Sequence, residues 1–207
     1  MKRLTGSVTY LIAAVTALAW VIATAAAFNA PYILGFIPAR WSGMVTVAGA
    51  VPTFLTPVTA TLAHAGPFHL GFNLLVFVWC GREVERVLGK TSLIVLYLVG
   101  AYASALLQWA VDPAATDPMV GASGAISAVI GAYALSFGRP KRFTQSATLN
   151  RWINAIWLMV AWVVLQWMMG WLASGQGFLV ATPAHVGGFA AGLLLQRPLL
   201  LWRYRNA

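Results

Sequence analysis

The stretch His64-Ala-Gly-Pro-Phe-His69-Leu-Gly-Phe-Asn73-Leu-Leu-Val-Phe-Val-Trp-Cys80-Gly-Arg82-Glu-Val-Glu85-Arg86-Val-Leu-Gly89-Lys90 decides how this chain is read. Between Asn73 and Arg82 every residue is apolar, and the segment 67–88 is long enough for the roughly 20 residues that a bilayer core requires. Two histidines and an asparagine stand at its opening and a basic turn, Arg82, Arg86 and Lys90, at its close. Basic turns favour the cytoplasmic side of a membrane, so the histidine and asparagine end is expected on the outer side.

The composition around this segment points the same way. The chain has 207 residues, 60% hydrophobic and 8% charged, where a soluble domain carries roughly 25% charged residues. Five further stretches, 7–28, 91–111, 121–137, 152–172 and 180–201, are apolar enough to be read as spans. The apolar run after Lys2 and Arg3 exceeds the 7 to 15 residues or so of a signal-peptide core and is read as the first span. The segment 44–62 is also apolar but holds Pro52, Pro57, Thr46, Thr53, Thr56, Thr59 and Thr61. Irregular backbone of this kind needs protein or water around it, and a full span here would move the Arg82 turn to the side opposite Lys2 and Arg3. It is therefore read as a partly embedded first outer loop.

With six spans, every basic residue except Arg40 falls on one side: Lys2 and Arg3; Arg82, Arg86 and Lys90; Arg139, Lys141, Arg142 and Arg151; Arg197, Arg203 and Arg205. Both termini are then expected in the cytoplasm, with loops 29–66, 112–120 and 173–182 outside. The fold expected is an all-α, polytopic membrane protein, a six-helix bundle forming one domain over 1–207, in the plasma (inner) membrane. The net charge of +9 follows from this sidedness, and its dispersal between apolar segments excludes a nucleic-acid partner. The single cysteine, Cys80, allows no intrachain disulfide and lies among apolar neighbours that favour an inert thiol.

What composition leaves unexplained is a small polar set. No Asp or Glu interrupts the depth of any span, so a carboxylate proton relay is not expected. His69 and Asn73 open the second span, Ser123 the fourth and His185 the sixth, all at the outer end in this topology. His69 and Asn73, four apart, share a helix face. Ser123 sits where the first backbone N–H groups of a helix lack intrahelical partners and favour an anionic oxygen. Gly188 and Gly192 form a GxxxG spacing that lets helices approach closely, one turn beyond His185. A serine hydroxyl becomes nucleophilic when a base takes its proton, and histidine is the usual base. Oxyanion donors are then available from the Ser123 N–H, Asn73 and His69. With no carboxylate nearby, the arrangement is a dyad of Ser123 and His185 rather than a triad.

These residues resemble the rhomboid intramembrane serine proteases. The motifs are His64-x4-His69-x3-Asn73, Gly121-Ala-Ser123-Gly124, Ala-His185-Val-Gly-Gly188-Phe-Ala-Ala-Gly192, and Gly81-x3-Glu85-x3-Gly89 after the second span. The resemblance covers roughly residues 50–200. It implies Ser123 as nucleophile, His185 as general base and His69 and Asn73 as oxyanion partners, with His64, Gly121, Gly124, Gly188 and Gly192 in support. It further implies cleavage of membrane-protein substrates near the outer end of a transmembrane helix, in contact with membrane lipid and without metal or cofactor. Two positions depart from the family pattern. The first loop carries Arg40-Trp41 in place of Trp-Arg, and Ser127 replaces an aromatic four residues after the nucleophile, which leaves His185 without that stacking partner.

The fifth span is the candidate lateral path for substrate, with Trp157, Met159, Trp162, Trp167, Met168, Met169 and Trp171 as bulky contacts and 174–177 as a lid-like connection. Three other functions fit less well. A non-catalytic adaptor for client helices has no need of both Ser123 and His185. A metal site from His64, His69 and His185 lacks the HExxH spacing and a carboxylate base. A transporter would be expected to carry intramembrane charges or an inverted repeat, and neither is visible.

Overall fold

The computed structural model describes residues 6–26, 28–137, 143–174 and 181–205, with side chains described outside 169–174. Lys2, Arg3, Arg139, Lys141, Arg142 and most of the lid-like connection, 175–177, lie outside the described residues, as do the side chains of Met169, Trp171 and Ser174. The regular elements among the described residues are helices: α1 (Val8–Ala25), α2 (Ala30–Leu34), α3 (Pro38–Trp41), α4 (Thr56–Thr59), α5 (Pro67–Leu88), α6 (Lys90–Val111), α7 (Ser123–Phe137), α8 (Ala147–Ser174) and α9 (Thr182–Arg203). The only strand-like pairing among them is an isolated bridge between Phe36 and Met119.

Three helices, α1, α6 and the Ala147–Met168 part of α8, are long and apolar enough to cross a bilayer. A fourth is formed if α5 is counted with the Thr53–Leu62 segment, which is bent from it by 90°. At 15 residues, α7 rises only about 22 Å, less than a hydrocarbon core of about 30 Å. Protein surrounds it instead of lipid: 11 of its residues are buried, among α9, α6, α5 and α8. Its low moment as an amphipathic helix follows, since it has no outer face to make polar or lipid-exposed. The apolar core packs Phe77, Val84 and Leu88 of α5 and Leu93 and Leu96 of α6 around Ile126 and Val129 of α7 and Phe189 of α9. The surface, by contrast, is strongly apolar: Leu75 is 69% exposed, Trp157 68% and Leu194 76%. Such a surface is stable only against lipid or protein.

Helix α8 begins five residues before the expected 152. Polar residues extend it: Asn150 Oδ1 accepts from the Phe143 and Thr144 N–H groups at 3.2 and 2.9 Å, and the Asn150 amide donates back to the Thr144 carbonyl at 2.7 Å. Ser146 Oγ accepts from the Leu149 N–H, as an N-capping serine does. A hydropathy reading begins the span only where these residues end.

The segment 44–62 holds two single 3₁₀ turns, Thr53–Leu55 and Ala60–Leu62, on either side of α4. Threonine hydroxyls satisfy its broken backbone: Thr56 donates to the Thr53 carbonyl at 2.6 Å, Thr61 to Val58 at 2.7 Å and Thr59 to Leu34 at 2.7 Å. Arg40 and Trp41, the reversed pair, staple this loop, the guanidinium donating to the Val51 carbonyl at 2.9 Å and the indole to the Thr53 carbonyl at 2.8 Å.

At the opposite end, Glu85 joins α5 to α1. Its carboxylate accepts from the Ser7 and Thr9 hydroxyls, both at 2.7 Å, and from the Val8 and Thr9 N–H groups, both at 3.0 Å. It thereby caps the otherwise unpaired start of α1 from a different helix, with its negative charge at the positive helix end. Glu85→Ala is expected to lower stability by about 1–3 kcal/mol, the range for stranding such donors. Thermal unfolding in detergent measures it, and unchanged melting would contradict this assignment.

Candidate active site

Three helix starts converge on one buried site, and packing explains the convergence. Residues 187–192 of α9 carry three glycines that lie on backbone of neighbouring helices. A Cβ on Gly188 would strike the Gly124 carbonyl oxygen and meet Ser104 Oγ at 2.7 Å; one on Gly192 would strike the Ala128 carbonyl oxygen; one on Gly187 would meet the Ala103 carbonyl oxygen at 2.6 Å. Gly124 in turn admits Ser104, whose Oγ would lie 2.6 Å from a Cβ there. The small residues thus let α9 lie directly on the backbones of α7 and α6.

One turn before Gly188, His185 lies against Ser123. Nε2 of His185 is 2.8 Å from Oγ of Ser123, and both residues are buried. If the serine donates, Nε2 accepts and the ring proton belongs on Nδ1, an assignment made from hydrogen-bond logic. Among the described residues, Nδ1 has no hydrogen-bonding partner.

The turn before Ser123 supports the other side of the site. Gly121 has φ +113°, a left-handed conformation suited to glycine. A Cβ there would also meet His69 Cε1 at 2.6 Å and Nε2 at 2.9 Å, with the Asn73 amide nitrogen at 3.7 Å. His69 and Asn73 therefore cover the strained turn that leads into the serine. Its backbone is anchored by the Gly121 N–H, which donates to the Ala60 carbonyl at 2.9 Å. Asn73 is fully buried, yet its amide nitrogen and its oxygen both lack partners among the described residues. A buried amide left unpaired is costly and calls for an explanation.

His64 sits behind this turn. Its Nε2 accepts from the Ala122 N–H at 3.4 Å, and its ring lies 5.1 Å from that of His69. Burial, with the nearby His69 second, pushes the His64 imidazole down to about 3, so it is neutral and able to accept at ordinary pH.

His185 does have an aromatic neighbour. Ser127 supplies no ring from α7, but Trp162 of α8 brings one, 6.3 Å from the imidazole at 75°, an edge-to-face arrangement. Trp162 is 4% exposed, whereas Trp157 and Trp167 on the same helix are exposed. Five residues separate it from each, about 140° around the helix, so one face of α8 turns to the site and the other outward. This spacing is visible in the sequence, but apolar side chains on both faces of a membrane helix hide which one is inward. Ser104, which fills the gap between Gly124 and Gly188, is the other residue that the motif reading passes over.

A family model described as the Rhomboid domain matches residues 51–202. Among curated proteins the chain is similar to RHOMBOID-like protein 1 of Arabidopsis thaliana, 27% identical over 143 residues, which are 66% of this chain and 32% of that protein. It is similar also to RHOMBOID-like protein 5 of the same plant, 28% identical over 138 residues, 67% of this chain and 41% of that protein. The matched region thus spans less than half the length of either relative.

Proposed function

Because this chain belongs to the rhomboid family, we propose that it is an intramembrane serine endopeptidase, hydrolysing peptide bonds in or near transmembrane helices of membrane-protein substrates. It is a multi-pass membrane protein, with apolar helices long enough to cross. In this reading it crosses six times, with both termini in the cytoplasm of a plasma (inner) membrane and the segment 44–62 partly embedded. The observation that carries the proposal is the 2.8 Å contact of His185 Nε2 with Ser123 Oγ inside a buried site.

The chemistry uses this pair in two steps. Ser123 Oγ attacks the carbonyl carbon of the scissile peptide while His185 Nε2 takes the hydroxyl proton. The oxygen that gains the charge is held by donors placed beforehand: the Asn73 amide, whose free hydrogens are otherwise unaccounted for, with His69 and the start of α7 beside it. The C–N bond then breaks, the amine leaves with the proton from His185, and a water repeats the sequence to release the acid from Ser123. His64, Gly121, Gly124, Gly188 and Gly192 support the geometry and take no proton. The substrate reaches the serine from the lipid, past α8, whose outward tryptophans adapt to a helix.

Asn73→Ala is expected to slow cleavage by roughly 10²–10³-fold or less, the range for losing one oxyanion donor, with substrate affinity unchanged. The reading is tested by reconstituting the protein with a tagged single-span substrate in liposomes. Cleavage that survives metal chelation and disappears in Ser123→Ala supports it; substrate captured but left whole by the folded wild-type protein would favour a non-catalytic adaptor.

A further inference from the structure

Ser127 stands one turn after Ser123 on α7 and is fully buried. Its hydroxyl donates to the Ser123 carbonyl at 2.7 Å and accepts from the Trp162 indole N–H at 2.8 Å. A continuous run of donors and acceptors thus leads from α8 to the backbone of Ser123. The ring that this bond fixes meets two others: Phe72 of α5, stacked at 5.8 Å, and His185, edge-to-face at 6.3 Å. Among the described residues, His185 Nδ1 meanwhile has no hydrogen-bonding partner.

A histidine that serves as a base must keep one tautomer and one ring orientation, and a hydrogen bond to its far nitrogen usually provides both. Among the described residues no such bond is made, and the contact they provide to restrain the imidazole is aromatic. Edge-to-face pairing is directional, because a positive ring edge seeks a negative ring face. An indole free to turn would restrain little, and the Ser127 hydroxyl removes that freedom.

We propose that Trp162 is a positioning residue for His185, its ring fixed by Ser127 so that the imidazole stays in line with Ser123 Oγ. This rests on the protease reading, since without an activated serine there is nothing to align. The small Ser127 is then a functional part of the site: a ring delivered from α8 needs an acceptor on α7 and leaves no room for an aromatic there. Trp162 and Phe72 also close α8 against α5, and closure alone would predict the opposite result, because loosening α8 would speed access.

The test uses a small fluorophosphonate, which reports serine reactivity without requiring a substrate helix to pass between α5 and α8. Trp162→Ala is expected to lower the limiting labelling rate about tenfold or more, as misplacement of a reacting group does, with the half-saturating probe concentration unchanged. Ser127→Ala and Trp162→Phe, which lose the hydrogen bond but keep a ring, should fall between. The double variant Ser127→Tyr with Trp162→Ala places a ring on α7 in the vacated space and should label faster than Trp162→Ala alone. Melting temperatures are compared throughout, and Trp162→Phe carries the test if Trp162→Ala does not fold. Trp162→Ala or Trp162→Phe labelling at the wild-type rate or above would overturn the assignment, as would a folded double variant without recovery. Absence of Ser123-dependent labelling in the wild type would overturn the protease reading itself, a separable outcome.

Discussion

Replacing Ser123 by alanine is expected to abolish cleavage while the protein melts as before. Among the described residues the only side-chain hydrogen bond of Ser123 runs to His185, and the loss of one buried hydroxyl removes little packing. His185→Ala should be equally inactive, because a serine without its base is a poor nucleophile near neutral pH. Residues that act as one unit are not additive: in another serine protease each such loss costs on the order of 10⁶-fold, about as much as both together. The double variant is therefore expected to be no slower than either single one. Cleavage in proteoliposomes beside a melting curve measures both quantities. An active Ser123→Ala protein would end the account.

The second large effect is expected from Gly192→Val. At this position any Cβ strikes the Ala128 carbonyl oxygen and comes within 2.8 Å of its carbon. The obstacle is helix backbone, so α9 must shift from α7. His185 rides on α9 and Ser123 on α7, and displacement by about 1 Å costs on the order of 10²-fold in rate. Overpacking of this kind also costs about 1–3 kcal/mol in stability. Gly71→Ala is the control, since nothing lies within 4 Å of a Cβ there, and it should melt like the wild type. Wild-type activity in a stable Gly192→Val protein would mean that the close approach of α7 and α9 does not set the distance between serine and histidine.

How much of this was legible in the residues differs from place to place. The α5 segment was readable from end to end, because proline starts it, apolar residues fill it and a basic turn closes it. The start of α8 was not, because Thr144, Ser146 and Asn150 build its first turns by side-chain hydrogen bonding, which leaves no mark on hydropathy. The nature of α7 was half visible. Its glycines and alanines announce close neighbours, but the fact that it is shorter than a hydrocarbon core and is wrapped by four helices belongs to the packing. The four polar residues at helix openings could be grouped by topology, since sidedness alone puts them at one level. That His185 faces Trp162 could not be read, because an aromatic on a membrane helix has the same composition whether it meets lipid or protein. Nor did the sequence disclose that Arg40 and Trp41, reversed from the family's order, would still staple the first loop through carbonyls. Backbone acceptors recur at every residue, so either order finds one.

The most direct test of the central claim, that His185 activates Ser123, is the site of covalent attack by a fluorophosphonate on the detergent-purified protein, mapped by peptide mass spectrometry. One modified peptide is expected, bearing the adduct on Ser123, and its loss in His185→Ala protein that still melts cooperatively. An adduct on another residue, or labelling of Ser123 that is indifferent to His185, would contradict it.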